Sequence, residues 1–195
     1  MHISEGVLSV PVLLGGAGLA VPGLIAGLRK LDMERLMAAA LLASAFFVAS
    51  LVHVPIGPGS VHLILNGLLG LLLGWATFPV IFIALLLQAV LFQFGGMAAL
   101  GVNTFNMALP AVLFAWIFSP LLSKGRVLRL SGAFLSGALS VAGAGFLTAA
   151  ALGLSDEGFM LSARLLWAAH VPVMLAEGCI TALSISFMDK VRPDI

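Results

Sequence analysis

Most of this sequence consists of long apolar segments that carry almost no charge. Crossing a bilayer as a helix takes about 20 predominantly apolar residues, and only 9% of the residues are charged, against roughly a quarter in a soluble domain. We therefore predict an all-α polytopic membrane protein, a single integral-membrane domain over residues 1–195. The seven predicted spans cover about 8–28, 35–53, 60–75, 79–94, 107–122, 127–152 and 161–188, the third being short for a full crossing.

The basic residues give the chain an orientation. With seven spans and the N-terminus outside, eight of the nine basic residues fall on the cytoplasmic side, and only Arg164 falls outside. Such an excess of Lys and Arg is typical of cytoplasmic segments. We therefore expect an extracytoplasmic N-terminus and a cytoplasmic C-terminus. The net charge of +1 gives no electrostatic reason to expect a nucleic-acid partner.

The first two residues can act together as a metal chelator. The Met1 amine and the His2 amide nitrogen close a five-membered ring around a cation, and the amide and His2 Nδ1 close a six-membered ring. These three nitrogens lie in one plane and leave a fourth position open. Square-planar nitrogen coordination is preferred by Ni(II) and Cu(II). The alternative is an ordinary frayed terminus in which a histidine has no role.

His62 is the natural donor for the fourth position. In the predicted topology the loops at 53–61, 95–106 and 153–160 lie on the same outer side as Met1, and irregular backbone at membrane depth normally lines a cavity or is buried by protein. The alternative for His62 is a hydrogen bond to a loop carbonyl. A structural hydrogen bond is also the favoured role of His53, although that residue could face the same pocket.

Four stretches resemble the CbiM/NikM family, the substrate-capture (S) components of energy-coupling-factor (ECF) transporters for cobalt and nickel. They are Met1–Gly6, 60–68, 95–96 with 101–107, and 170–172 with 177–178. The resemblance implies that the Met1 amine, the His2 amide and imidazole, and the residue at the position of His62 hold the metal. It also implies a multi-pass protein of a bacterial or archaeal cell membrane. Residues 58–67 are similar to the nickel branch, which favours Ni²⁺ as the transported substrate, with Co²⁺ as the alternative.

Other polar residues are candidates for a supporting role around the metal. They are Ser60, Asn66, Asn103, Thr104 and His53, since metal-binding imidazoles normally need hydrogen-bond partners. Asn103 and Thr104 could equally cap span 5. His170 and Glu177 stand two helical turns apart, and we interpret them as an interhelical polar tie rather than a metal site.

The resemblance also implies partner proteins. The chain has no G-x-x-x-x-G-K-[ST] motif, so it is predicted not to be an enzyme, and ATP hydrolysis falls to partners. These would be a transmembrane coupling (T) subunit and two ATP-binding cassette ATPases, with a small accessory membrane protein as a further candidate. Small residues in span 2 favour close helix approach and could dock the coupling subunit, the alternative being internal packing: Ala39, Ala43, Ala40 and Ser44.

Two other classes of function are less well supported. An autonomous secondary transporter should show inverted repeats and several midplane charges, whereas the spans contain Glu177 and no clear repeat. An intramembrane metalloenzyme needs a general base beside an open metal position, and the H-E-x-x-H motif is absent.

Overall fold

The computed structural model describes residues 2–56 and 59–191, and it is almost entirely helical. It therefore confirms the predicted all-α membrane fold class. The helices are α1 (Val10–Leu28), α2 (Met33–Leu51), α3 (Asn66–Leu73), α4 (Thr77–Phe92), α5 (Leu100–Leu122), α6 (Arg126–Ser155), α7 (Met160–Ala169) and α8 (Val171–Val191), and the strands are β1 (His53–Ile56) and β2 (Gly59–His62).

In the described part of the chain, six helical segments are long and apolar enough to cross a membrane, where seven spans were predicted. The difference arises at α3. Its eight residues rise about 12 Å, which is less than the thickness of a membrane. Helix α3 is therefore counted together with α4 as one apolar segment, Asn66–Phe92. A break at Gly74, with φ 55° and ψ −127°, separates the two helices.

The ends of this segment show how the chain runs. Helix α3 starts four residues after His62, and the Phe94 ring that follows α4 lies 4.4 Å from the ring of His53. Because His53 pairs with His62, both ends lie beside the same hairpin. The chain therefore leaves the hairpin along α3 and returns toward it along α4. Helix α3 is short for a membrane crossing, as predicted for the third span.

The predicted irregular loop at 53–61 contains an antiparallel hairpin. His53 is paired with His62 and Val54 with Val61. Pro55 is tolerated because each strand of a two-stranded sheet has a free edge. Residues 57 and 58, at the tip of the predicted loop, lie outside the described residues.

Helix α5 starts at Leu100, although the sequence predicted a start near 107. The polar residues that were expected to precede the helix form its first two turns. The Thr104 hydroxyl donates to the carbonyl of Leu100 at 2.8 Å. Since Ala99 occupies the N-cap position, the predicted capping role of Asn103 and Thr104 is wrong.

The predicted seventh span is two helices, α7 and α8, separated at His170. Pro172 has no N–H to donate to the preceding turn, which explains the break. The main-chain N–H of His170 instead donates to the carbonyl of Trp167 at 3.1 Å, closing a tight turn.

Glycine allows α3 to approach the centre of the helical bundle closely. A Cβ atom on Gly67 would lie 2.5 Å from the Cα of Gly137 in α6, and one on Gly70 would lie 2.2 Å from the carbonyl oxygen of Ala111 in α5. The backbone of α3 is therefore packed directly against α5 and α6. This packing fixes the helix that immediately follows His62.

Candidate metal centre

The N-terminal segment is held by an amide pair. The Asn103 side chain accepts the N–H of Ile3 at 3.1 Å and donates to its carbonyl at 3.2 Å. Ile3 is fully buried, and Asn103 is buried in the second turn of α5. This two-point contact fixes the residue that directly follows His2.

A glycine loop covers the other side of the segment. Gly95 and Gly96 have φ values of +79° and +83°, which other residues rarely adopt. A Cβ atom on Gly95 would lie 3.4 Å from His2 Cδ2, and the N–H of Met97 donates to Glu5 Oε2 at 3.1 Å. The glycines thus let the main chain lie against His2.

The structure brings His2 and His62 together although they lie 60 residues apart in sequence. Their ring centroids are 4.7 Å apart with an interplanar angle of 22°, and both side chains are buried. The Nε2 atom of each is buried without a hydrogen-bond partner among the described residues. Buried polar atoms are almost always paired, so the unpaired Nε2 of His62 marks a position for a ligand, whereas the predicted chelate would use Nδ1 of His2.

The protonation of His62 is set by its neighbour. Nδ1 lies 2.8 Å from the carbonyl oxygen of Leu63, and since a carbonyl only accepts, Nδ1 carries the proton. The lone pair is then on Nε2. Burial lowers the pKa of His62 well below its usual value and lowers that of His2 to about 3. Both rings are therefore neutral near pH 7, the form that binds metals.

Side chains alone do not complete a metal site here. In residues 2–56 and 59–191, no group of three or more His, Cys, Asp or Glu side chains could hold a metal ion. Two imidazoles supply two donors, and a four-coordinate ion would need two more. The predicted additional donors are the His2 amide and the Met1 amine, and Met1 lies outside the described residues.

The other predicted supporting residues bond elsewhere. Asn66 donates to the carbonyls of Met107 and Ser140, so it joins α3 to α5 and α6. Thr104 bonds within its own helix. His53 Nδ1 lies 3.0 Å from the carbonyl of Leu51, which is the structural hydrogen bond favoured for it. Ser60 is buried in β2. Within the predicted set, Asn103 is the residue with hydrogen bonds to the N-terminal segment.

Glu177 is tied to the segment that follows His62. Its fully buried carboxylate accepts the N–H groups of Ile64 and Leu65, the latter at 2.8 and 3.0 Å from its two oxygens. His170 Nδ1 instead lies 2.6 Å from the carbonyl of Leu166 in α7. Glu177 thus links α8 to the segment before α3, as predicted for a polar link between helices. Its partners, however, are main-chain N–H groups and not His170.

Sequence reasoning missed Gln88, a fully buried residue of α4 whose side-chain nitrogen donates to the Ser50 hydroxyl and the Phe47 carbonyl at the end of α2. Its signal was a single amide side chain in the apolar run of the fourth predicted span.

The predicted docking face on α2 also needs correction. Ala39 is 3% exposed and Ala43 is packed against the same core, because this side of α2 faces the bundle. Ala40 and Ser44 are exposed.

Comparison with known proteins identifies the type of molecule. A sequence model of the CbiM family, described as a cobalt uptake substrate-specific transmembrane region, matches residues 2–195. A Haemophilus influenzae protein with a provisional name as a metal transport protein is 48% identical over 198 residues, covering 100% of this chain and 96% of that protein. The cobalt transport protein CbiM of Kyrpidia tusciae is 30% identical, covering 100% of this chain and 85% of that protein.

Solved structures share the fold. The crystal structure of a transition metal transporter has a TM-score of 0.89 and 30% identity, and the match covers 100% of this chain and 95% of that one. A truncated transition metal transporter has a TM-score of 0.87 and 28% identity, covering 98% and 99% of the two chains.

Proposed function

The chain belongs to the CbiM family, and on this premise we propose that it captures Ni²⁺ as the membrane-embedded S component of an ECF importer. Family membership makes it a multi-pass transmembrane component of cobalt or nickel uptake. The observation that carries the proposal is the buried, stacked pair of neutral imidazoles of His2 and His62, with Nε2 of His62 unpartnered among the described residues. The Met1 amine and the His2 amide would complete four nitrogens.

Nickel is preferred over cobalt because of the donor set. Four nitrogens in one plane suit Ni(II), whose square-planar form is strongly stabilised by such ligands. The names of relatives include both metals: one is a cobalt transport protein, and a fused nickel transport protein of Rhodobacter capsulatus is 35% identical over 134 residues, covering 66% of this chain and 39% of that protein. Co²⁺ therefore stands as the alternative substrate.

The chelate requires an unmodified Met1, and this gives a direct test. Acetylation of the Met1 amine removes it as a donor, because the acylated nitrogen has no free lone pair. We expect calorimetry to give one Ni²⁺ per native chain and a large loss of affinity for the acetylated chain. Equal affinity and stoichiometry in both proteins would refute the chelate. Repeating the titrations with Co²⁺ tests the metal preference, which tighter cobalt binding would overturn.

Energy would come from outside the chain. We propose that a T subunit and two ATP-binding cassette ATPases drive uptake, and that the coupling subunit docks on the exposed face of α2. Ala40 and Ser44 lie on that face, and Ser44 donates to the carbonyl of Ala40, which hides its hydroxyl. Small residues permit close helix approach.

Two substitutions on α2 separate docking from capture. Ala40→Leu adds bulk to the exposed face and should leave Ni²⁺ binding intact while lowering ATP-dependent uptake in cells that contain the partners. Ala39→Leu adds the same bulk to the buried face and should lower the melting temperature of the isolated protein. Full uptake by the Ala40→Leu protein would show that the coupling subunit docks elsewhere.

A further inference from the structure

A groove runs between α6 and α7 on the outer surface of the helical bundle. Its volume is about 560 Å³, which lies within the range of ligand sites, roughly 300–1,000 Å³. On α6 its floor consists of small residues, Ala149, Ala150 and Gly153. All of its lining residues are uncharged except Arg164 of α7. The groove is therefore an apolar channel with a single cationic group.

The two helices that form the groove run antiparallel. A Cβ atom on Gly153 would lie 3.5 Å from Met160 Cε, whereas one on Gly145, eight residues earlier in α6, would lie 3.6 Å from Trp167 Cδ1. Both distances are ordinary van der Waals contacts. The absence of side chains at these positions leaves the space that the groove occupies.

The groove opens on the side of the N-terminal segment and follows the depth of one leaflet. The main-chain N–H of Ser9 donates to Ser155 Oγ at 3.2 Å, so the last turn of α6 lies level with the start of α1. From Leu154 the lining extends back along α6 to Phe146, a distance of about 12 Å. One leaflet is half of a hydrocarbon core of about 30 Å. The groove therefore has the length of a single leaflet.

The guanidinium of Arg164 is available to an anion. Arg164 is exposed and forms no ion pair with any residue in 2–56 or 59–191. In the turn that precedes α7, Asp156 accepts the N–H of Gly158 at 2.7 Å. A long basic side chain in an apolar wall can extend to the headgroup level of a bilayer. Trp167, which is 44% exposed beside it, is of a type enriched at that level.

We propose that this groove binds one phospholipid from the leaflet on the N-terminal side. The phosphate accepts hydrogen bonds from Arg164, whose planar guanidinium matches phosphate geometry. One acyl chain lies on the floor formed by Ala149, Ala150 and Gly153. A phospholipid satisfies both features of the groove, because it joins an anion to a flexible apolar chain. This lipid site is separate from the metal centre and goes beyond the proposed function.

The groove shares a wall with the packing of the N-terminal segment. Ala163 lines the groove and also belongs to the buried cluster that contains Ile3, Leu8 and Leu152. A lipid that fills the groove would hold α6 and α7 together against this cluster. Because a ligand that binds only the folded state stabilises it, added phospholipid should raise the melting temperature of the delipidated protein.

Trp167 provides a readout that is confined to the groove. The chain contains three tryptophans, and Trp75→Phe with Trp116→Phe leaves Trp167 as the single fluorophore. The delipidated protein in detergent is titrated with phosphatidylglycerol that carries bromine on its acyl chains, which quenches nearby tryptophan. We expect saturable quenching that unlabelled phosphatidylglycerol reverses. Diacylglycerol with the same chains should not reverse it, since it lacks the phosphate.

Three variants in this background test the two parts of the site. Arg164→Gln should weaken binding about 10-fold, the loss expected for one charge-assisted contact. Arg126→Gln is the matched control, because Arg126 is an exposed arginine at the opposite end of α6, and its binding should be unchanged. Gly153→Leu places a side chain on the floor and should also weaken binding. Melting curves establish that each variant is folded.

Several outcomes would overturn the proposal. Quenching that rises without saturation, or that diacylglycerol reverses equally well, would mean only non-specific contact with lipid chains. Equal affinities for the Arg164→Gln and Arg126→Gln proteins would remove the role of the cation. Absence of quenching in a protein that light scattering shows to be a dimer would mean that a second copy of the chain covers the groove.

Discussion

Removing the carboxylate of Glu177 should loosen the segment that carries His62. The carboxylate is fully buried in α8 and accepts the N–H groups of Ile64 and Leu65, which lie two and three residues after the histidine. Both N–H groups precede α3, so neither has a partner in a preceding helical turn. Glu177→Met removes the acceptor and keeps a side chain of similar length.

The expected cost follows from the two groups that lose their partner. A buried donor left unsatisfied costs about 1–3 kcal/mol, which gives about 2–6 kcal/mol for Glu177→Met. Glu177→Gln is the matched variant. Since Oε1 accepts both N–H groups, a glutamine oxygen in that place keeps one contact to each N–H group. It loses the charge and the second contact of Leu65, at 3.0 Å from Oε2. We therefore expect a clearly smaller cost for Gln than for Met.

The assay is thermal unfolding of the metal-free proteins in detergent, followed by Ni²⁺ calorimetry. We expect Glu177→Met to melt at the lowest temperature and to bind Ni²⁺ more weakly than the wild type, because ordering His62 would then oppose binding. Glu177→Gln should fall between them in both measurements. A Glu177→Met protein that melts and binds like the wild type would refute the argument.

Three further predictions concern the site. His62→Ala should lower Ni²⁺ affinity far more than His53→Ala does, and equal losses by calorimetry would assign the effect to the hairpin. Gly96→Ala should weaken binding, because a Cβ atom there would lie 2.4 Å from Glu5 Oε2, whereas Gly15→Ala on α1 meets open space and should bind normally. Burial lowers the pKa of His2 to about 3, so the metal-free protein should lose stability as the pH falls below the unfolded value of 6.5. The loss at pH 5 is about 2 kcal/mol. This loss of stability should be smaller for His2→Gln. The same dependence of melting temperature on pH in the wild type and in the His2→Gln protein would contradict the prediction.

Hydropathy predicts the long helices well because a bilayer imposes both length and composition. The first two predicted spans, 8–28 and 35–53, compare with Val10–Leu28 and Met33–Leu51. The prediction fails at α5, whose first turns are polar. Asn103 is satisfied there by the main chain of Ile3, 100 residues away, and no local pattern reveals such a partner.

The residues of the candidate site were likewise predicted only in part. The chelating potential of residues 1 and 2 follows from atom counting, and the loop topology suggested His62. Gln88 and Glu177 could not be assigned in this way, since a lone polar residue in an apolar run does not show what it will bond. Glu177 bonds to main-chain N–H groups, which every residue possesses, and Gln88 bonds to the end of a different helix.

The neutrality of the histidine pair bears on metal selection. Burial keeps both imidazoles uncharged, so a divalent ion that entered with neutral donors alone would keep its full charge in a poorly solvated pocket, at high cost. In the proposed chelate, the His2 amide loses its proton and leaves a net charge of one. The ions that favour such planar nitrogen sets are Ni(II) and Cu(II), whereas Mg(II) and Ca(II) prefer oxygen ligands. The proposed selectivity thus follows from the need to offset charge in a buried site, and the main chain supplies the compensating group.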